Sequence, residues 1–403
     1  MKSRLPFANS IVVLALLAMP LASSPQQSLG QQAKPFSHYT VTDLGVLKAG
    51  TNSSGFDMNH AGWVGGSSNL TPGGPQHAFI WYGGGPLQDL GTLQGEACPQ
   101  CNSGADGPNA SGEAPIGSEI STPDPDGEDF CGFGTHLECL GAIWRFGKLT
   151  ALPKLPGGHN ANAFGINDLG QVVGFAETGV KDPTCVTATA FQVFRFQAVK
   201  WERDGEIKEL PPLPGDTVAF SFGINDRGQA VGSSGTCATQ GLPPANVTGL
   251  HPVLWEKDGT PTYLGTLGDA ANTMFNAASS INGLGDVVGT SQFTDGTVHS
   301  FLWRKGIGMR DLGTLPGAFA TVAGCCNTVN NQDEVAGFSI DETGMRAFLW
   351  RDGAMVDLNT LVPADSPLYL LAAYSINDAG EITGQGCVLP DCSVMHAFRA
   401  TPK

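Results

Sequence analysis

Apolar residues run through this chain in short clusters bounded by Asn, Asp and Gly, a pattern of strands and tight turns rather than of helices. The stretch FGINDLGQVVGFAE, Phe164 to Glu177, holds two such clusters around Asn-Asp-Leu-Gly. Those four residues tolerate left-handed backbone and suit a hairpin. The pattern returns as FGINDRGQAVGSS from Phe222, SINGLGDVVGTS from Ser280 and SINDAGEITGQG from Ser375. In register, seven copies emerge, with Asn59, Asn109, Asn167, Asn225, Asn282, Asn330 and Asn377 equivalent. Their spacings are 50, 58, 58, 57, 48 and 47 residues. Copy two, NASGEAPIGS, is degenerate, and copy six, VNNQDEVAG, loses its turn Gly. A period near fifty belongs to propellers and solenoids.

Each unit contains four short segments, in the third unit ANAFGIN, QVVGFAE, FQAVKW and IKELPPL. Segments such as VVGFA are apolar on both faces, as expected of strands covered from both sides. Four strands in each of seven units predict an all-β fold, a seven-bladed β-propeller of four-stranded antiparallel blades. The ends of the chain predict ring closure. YTVTDLGVL at Tyr39 matches a fourth strand and HAFRATP at the end matches a third, so the N-terminal strand completes the last blade.

Composition agrees with the pattern. Only 14% of the 403 residues are charged, and Gly occurs 55 times. The net charge of −16, with 21 Lys and Arg, repels phosphate backbones, so no nucleic-acid partner is expected. MKSR followed by IVVLALLAMPLA reads as a secretory signal, with cleavage between Ala22 and Gly30. Residues 1–30 are therefore expected to be a leader and 31–403 a single propeller domain. The apolar run is too short for a stable span, no Cys follows it for a lipid anchor, and HAFRATPK carries no sorting tail. The expected product is a secreted or surface-held monomer with no transmembrane segment after cleavage.

The recurring HAFIW, HSFLW, RAFLW and HAFRA, all but the last followed by DLGTL or a variant, resemble the HAF-repeat family of bacterial extracellular proteins. The resemblance covers Tyr39 to the C-terminus. It implies an extracellular, propeller-like repeat protein and brings no established activity with it.

Several residue types invite chemistry. Six tryptophans (Trp81, Trp144, Trp201, Trp255, Trp303, Trp350) end the third strand of their units, where packing between blades is the expected role and a sugar platform the rival. The motif His occurs as His77, His251, His299 and His396, with Leu140, Gln197 and Arg346 elsewhere. One per blade is too dispersed to share a metal ion, so capping of the strand start is expected. The loop DPDGED, Asp124 to Asp129, has acidic oxygens for calcium but not the helix-loop-helix spacing, and is expected to be solvated.

The ten cysteines all fall in connections on one face of the predicted disc. An exported chain should oxidise them. Cys131–Cys139, Cys387–Cys392 and a cross-blade Cys185–Cys237 are expected, with Cys98–Cys101 as a small ring. Cys325 and Cys326 pair with each other or with other partners. Zinc on Cys98, Cys101, Cys131 and Cys139 has the wrong spacing.

For catalysis, Asp216 and Asp269 could converge at the mouth of the channel, bordered by His159, and paired carboxylates there would suit glycoside chemistry. Both aspartates, however, occupy equivalent positions of a repeated loop. The expectation is a non-catalytic binding or structural module without metal or cofactor. Its ligand, an extracellular glycan or cell-surface protein, would meet the stapled loops, and His159, Asp216 and Asp269 would be binding residues at the mouth. The alternative is a polysaccharide hydrolase or lyase sited there.

Overall fold

A computed structural model describes residues 35–185, 192–237, 247–268, 276–324 and 326–403. Phe36–Lys403 forms one compact unit. The expected leader, Asp269 and Cys325 lie outside the described residues.

The protein is all-β. A first strand, β1 (Tyr39–Gly45), is followed by β2 (Ser53–Met58), β3 (Val64–Asn69), β4 (Gln76–Trp81) and β5 (Gln88–Gly91). Next come β6 (Ser103–Ala105), β7 (Ala114–Pro123), β8 (Leu137–Arg145), β9 (Lys148–Ala151), β10 (Ala161–Ile166), β11 (Val172–Lys181), β12 (Phe194–Trp201) and β13 (Ile207–Leu210). The middle of the chain supplies β14 (Val218–Ile224), β15 (Ala230–Cys237), β16 (Val247–Trp255), β17 (Pro261–Tyr263), β18 (Ala277–Ile281), β19 (Val287–Gln292), β20 (Val298–Arg304) and β21 (Gly308–Asp311). The last part gives β22 (Ala320–Val322), β23 (Val335–Asp341), β24 (Gly344–Arg351), β25 (Ala354–Asp357), β26 (Leu368–Ile376), β27 (Ile382–Val388) and β28 (Met395–Pro402).

Consecutive strands pair antiparallel in four-stranded meanders, β2 to β5, β6 to β9, β10 to β13 and β14 to β17. The next two groups of four join into one sheet through a single parallel pairing, Val298 with Ala320. The last sheet has the order β1-β28-β27-β26, so the first strand supplies the partner that the final repeat lacks. Its register runs from Tyr39 opposite Pro402 to Gly45 opposite Ala397.

Strands buried on both faces explain the uninterrupted apolar runs: all six residues of β3 and the first six of β11 are buried. Each of the six repeating tryptophans is buried in a separate apolar cluster. These clusters bridge neighbouring repeats. Trp201 packs with Ile143 and Leu155 of the preceding repeat and donates Nε1–H to Pro153 O at 2.8 Å. Trp255 does the same with Val173, Leu210 and Pro211 O, at 2.7 Å. The rings are packing elements between units, and no described one presents a face to solvent as a sugar platform would.

Four of the expected disulfides are present: Cys98–Cys101, Cys131–Cys139, Cys185–Cys237 and Cys387–Cys392. Cys326 is oxidised as well. Within a sheet Cys237 and Cys387 sit away from the asparagine turn, but Cys326, next to the cavity-lining Asn327 and 3.5 Å from Asp106, sits near it, against the expectation that all ten share one face. Cys237 ends β15 and Cys387 lies near the end of β27, whereas the Asn225 and Asn377 turns precede those strands. Cys185–Cys237 ties two consecutive repeats together at that end.

Candidate functional site

The seven asparagines do more than turn the chain. In each, Oδ1 accepts the backbone N–H four residues on, and in all but Asn167 the one two residues on as well, as Asn377 does from Glu381 and Ala379, both at 3.0 Å. From the second repeat onward Nδ2 also donates to the side chain four residues on, for instance Gln171 at 2.8 Å and Glu334 at 2.9 Å. The same Nδ2 reaches the backbone carbonyl of the next repeat's asparagine. Asn59 donates to Asn109, Asn109 to Asn167, Asn167 to Asn225, Asn225 to Asn282, Asn282 to Asn330 and Asn330 to Asn377, at 3.0 to 3.2 Å. Asn377 then donates to Asn59 at 3.2 Å. In copy six Asp333 replaces the turn Gly and adopts φ 62°, a left-handed conformation that Asp tolerates better than most side chains.

These turns surround a cavity of about 170 Å³. The asparagines line it together with Asp168, Asp226, Asp378 and His60, and Asp57 and Asn327 also face it. Among the described residues no Lys or Arg lines it. The rim carboxylates are already engaged: Asp168 accepts Ala110 N–H, Asp226 accepts Asp168 N–H, and Asp378 accepts Asn331 N–H, each at 2.8 Å.

Asp57 departs from the repeat. Two residues before the turn asparagine the other copies carry Gly107, Gly165, Gly223, Ser280, Thr328 and Ser375. One residue earlier, where Phe56, Phe164, Phe222 and Tyr374 stand, the second copy has Asp106 and the sixth Asn327. Asp57 Oδ1 accepts Ser375 Oγ–H at 2.7 Å and Met58 N–H at 2.6 Å, and Oδ2 accepts Asn327 Nδ2–H at 2.8 Å. Burial outweighs these bonds and pushes its carboxyl up to about 6. Burial, reinforced by the charge of Asp57, holds Asp106 well above the usual carboxylate range. Sequence reasoning sought a carboxylate pair in the loops and missed this one, although the register itself marks both positions as exceptions.

Of the residues expected at the mouth, Asp269 lies outside the described residues, and His159 and Asp216 each have partners of their own. His159 Nδ1 lies 3.4 Å from Glu138 Oε1, and its backbone N–H donates to Glu177 Oε2 at 3.2 Å. Asp216 Oδ2 accepts Ser234 Oγ–H at 2.5 Å and lies 2.9 Å from His251 Nδ1. Neither His159 nor Asp216 lines the cavity.

The motif histidines also have a role different from strand capping. His77 meets Asp89 at 2.8 Å, His396 meets Asp43 at 2.9 Å and His299 meets Asp311 at 3.0 Å, each pairing with the Asp of a DLG segment. In the fourth repeat that Asp is replaced by Tyr263, and His251 turns to Asp216 instead. Arg346, standing for His, still reaches Asp357 at 3.5 Å. Where Leu140 replaces the His, Ala151 replaces the Asp. Burial works to raise Asp89, but hydrogen bonds from His77, Lys48 and Gly91 N–H prevail and hold it at about 2. In Asp43 burial is likewise outweighed, chiefly by His396, and the carboxyl is lowered.

The DPDGED loop is only half solvated: Pro125, Asp126 and Gly127 are exposed, but Asp124, Glu128 and Asp129 are buried. The next residue, Phe130, explains it. Its ring packs on Phe175 of the following repeat at 4.9 Å and draws the loop into the seam. There Asn160 Nδ2 sits among Asp124 Oδ2 at 2.8 Å, Glu177 Oε2 at 3.0 Å and Glu128 Oε2 at 3.4 Å. Cys139 N–H donates to Asn160 Oδ1 at 2.8 Å, which fixes the amide with its N–H groups toward the acids. An amide thus occupies the place a cation would need. Burial, with the neighbouring Glu177, raises the Glu128 carboxyl well above its ordinary value. No group of three or more His, Cys, Asp or Glu side chains among the described residues is arranged to hold a metal ion. Zinc on Cys98, Cys101, Cys131 and Cys139 is excluded because all four are oxidised.

No protein-family profile matches the chain, and no curated protein matches it. Among solved structures it is similar to the β-propeller domain of the trilobed protease from Pyrococcus furiosus, with 8% identity and TM-score 0.48 over 91% of this chain and 94% of that one. It is also similar to a streptogramin B lyase, with 11% identity and TM-score 0.44 over 91% and 98%. A Mycobacterium tuberculosis puromycin-hydrolyzing peptidase matches with 12% identity and TM-score 0.48 over 90% of this chain and 56% of its own. Such distant neighbours say nothing of what this chain binds.

Proposed function

We propose that this chain is a secreted, seven-bladed β-propeller of the HAF-repeat kind, closed by its N-terminal strand, that works as a non-catalytic binding or structural module. Its ligand, an extracellular glycan or cell-surface protein, meets the disulfide-bearing loops. The observation that carries the reading is the division of labour along each sheet. One end commits its asparagines to a hydrogen-bonded circuit that returns from Asn377 to Asn59. The other end carries the non-repeating loops, and four disulfides staple them, one across two repeats. Rigid loops on a rigid scaffold lose little entropy on binding. The pairing of β1 with β28, and of Asp43 with His396, supports closure. Disulfides, and the lack of any helix long and apolar enough to cross a membrane among the described residues, fit an oxidising, extracellular setting.

The Asp57–Asp106 pair favours one rival, a hydrolase or lyase at the central mouth. Against it, 170 Å³ falls below the roughly 300–1,000 Å³ typical of small-molecule sites. Passing the purified, oxidised chain over a panel of immobilised polysaccharides and surface-protein preparations, with retention and reducing ends scored together, tests both. Retention without new reducing ends is expected; release of reducing ends would transfer the assignment to the rival.

A further inference from the structure

The seam between the second and third repeats holds three buried carboxylates, Asp124, Glu128 and Glu177, around one amide nitrogen. Counting hydrogens leaves one acid unserved. Asp124 Oδ1 accepts the Asp126 and Glu128 N–H groups, both at 2.9 Å, and Oδ2 accepts Asn160 Nδ2–H at 2.8 Å. Glu177 Oε1 accepts Gln192 Nε2–H at 2.9 Å. Its Oε2 accepts the His159 and Asn160 backbone N–H groups, at 3.2 and 3.0 Å, and Asn160 Nδ2–H at 3.0 Å. Asn160 Nδ2 carries two hydrogens, and these two closer carboxylates take them. Glu128 Oε1 accepts from Val193 and Phe194 N–H, but Oε2 is left 3.4 Å from a nitrogen with no hydrogen to spare. The cations around the cluster are committed elsewhere. Lys181 pairs with Asp126 at 3.0 Å, Arg195 with Asp182 at 3.4 Å and His159 with Glu138 at 3.4 Å. Lys154 donates to His159 O at 3.1 Å, and His136 Nδ1 lies 2.8 Å from Gly127 O. The remaining charged side chains nearby, Glu119 and Asp129, are acids themselves. An ionised Glu128 would thus face Glu177 and Asp124 across one amide, buried and without a counter-charge.

We propose that Glu128 is held as a neutral acid whose Oε2–H supplies the missing donor, and that this proton works the seam as a latch on the stapled loop 124–139. Glu128 anchors that loop by accepting from Val193 and Phe194 of the next repeat, and the Cys131–Cys139 disulfide makes the loop move as one piece. While the proton stays, the loop is clamped to the third repeat. Its removal sets Glu128 against Glu177 and loosens the clamp. Burial and the neighbouring Glu177 both hold the Glu128 carboxyl above its ordinary range. Because the folded value lies above the unfolded one of about 4.3, the stabilisation is complete below that pH and is lost as pH rises toward the folded value. The latch goes beyond the proposed binding role and does not depend on it.

The test compares the full oxidised chain with Glu128→Gln, whose amide keeps a donor at every pH. The ratio of their unfolding constants, wild type over variant, is expected to rise about tenfold per pH unit between about pH 5 and 8, the signature of one proton. The other buried acids are common to both chains and cancel. A ratio that does not change with pH would overturn the assignment of the proton. Hydrogen exchange of the wild-type chain, corrected for intrinsic rates, reads the loosening itself and needs no variant. Protection in residues 124–139 is expected to fall about tenfold between about pH 6 and 9, while the equally stapled residues 387–396 keep theirs. Equal behaviour of the two loops would overturn the latch.

Discussion

Two clusters of buried acids lie in this molecule, and they are built in opposite ways. Around Glu128 and Glu177 the chain supplies its own donors. Asn160 reaches three carboxylates, Gln192 Nε2 donates to Glu177 at 2.9 Å, and Val193 N–H donates to Glu128. Around Asp106 the described residues bring only Cys326 Sγ, at 3.5 Å, although Asp57 is well served. The first cluster occupies a seam beside the disulfide-bearing loops, where it holds one repeat to the next. The second borders the cavity lined by the asparagine turns, through Asp57. Acidity alone therefore does not distinguish a structural joint from a binding site. The decisive question is whether the protein has already provided the partner.

That contrast can be broken most severely at Asn160. Replacing it with Leu leaves three buried acids and the Cys139 N–H without their shared partner, and should cost about 3–5 kcal/mol in denaturant unfolding. A loss below about 1 kcal/mol would mean that water replaces the amide and that the two clusters are alike. The asparagine circuit comes next. Asn377→Ala removes four hydrogen bonds and should cost about 2–4 kcal/mol. Asn225→Ala, inside the array, should cost the same; a much cheaper Asn377 would argue against closure between the last and first repeats.

Smaller, and of opposite sign in the two clusters, are the acid-to-amide changes. Asp106→Asn should raise stability by about 1–2 kcal/mol at neutral pH, because burial and the charge of Asp57 both disfavour the ionised carboxyl. Asp124→Asn should lower it by about 1–3 kcal/mol, since its carboxylate accepts Asn160 Nδ2–H and two backbone N–H groups. Equal signs would erase the distinction. The smallest effect belongs to the His–Asp pairs. Asp89 is held at about 2, below an unfolded value of about 3.9. Its contribution is therefore complete above pH 4 and lost as pH falls through 2. The pair is partly exposed, so on the order of 1 kcal/mol is expected, read as the gap between wild-type and Asp89→Asn unfolding curves, open at pH 5 and closing toward pH 2.

The strand order and four disulfides were legible because repetition supplies its own alignment: Cys185 and Cys237 occupy matching loops of neighbouring units, and tight Asn turns fix the register. The His–Asp pairs were legible in principle, since Leu140 and Ala151 depart from the motif together, but they lie on different strands and only pairing brings them side by side. The DPDGED loop misled because its composition is that of a solvated turn, whereas Phe130 buries it against Phe175 of the next repeat. Asp57 and Asp106 escaped notice for a similar reason. Each differs from its copies by one residue, and nothing local brings distant repeats side by side.

On the proposed function the stapled end meets the ligand and the asparagine end is structural. Hydrogen–deuterium exchange of the oxidised chain with and without a retained ligand from the panel tests this most directly. New protection is expected in residues 124–139 and 387–396, with the asparagine turns unchanged. Protection confined to Asn59–Gly62 and its equivalents, with the stapled loops unaltered, would contradict it.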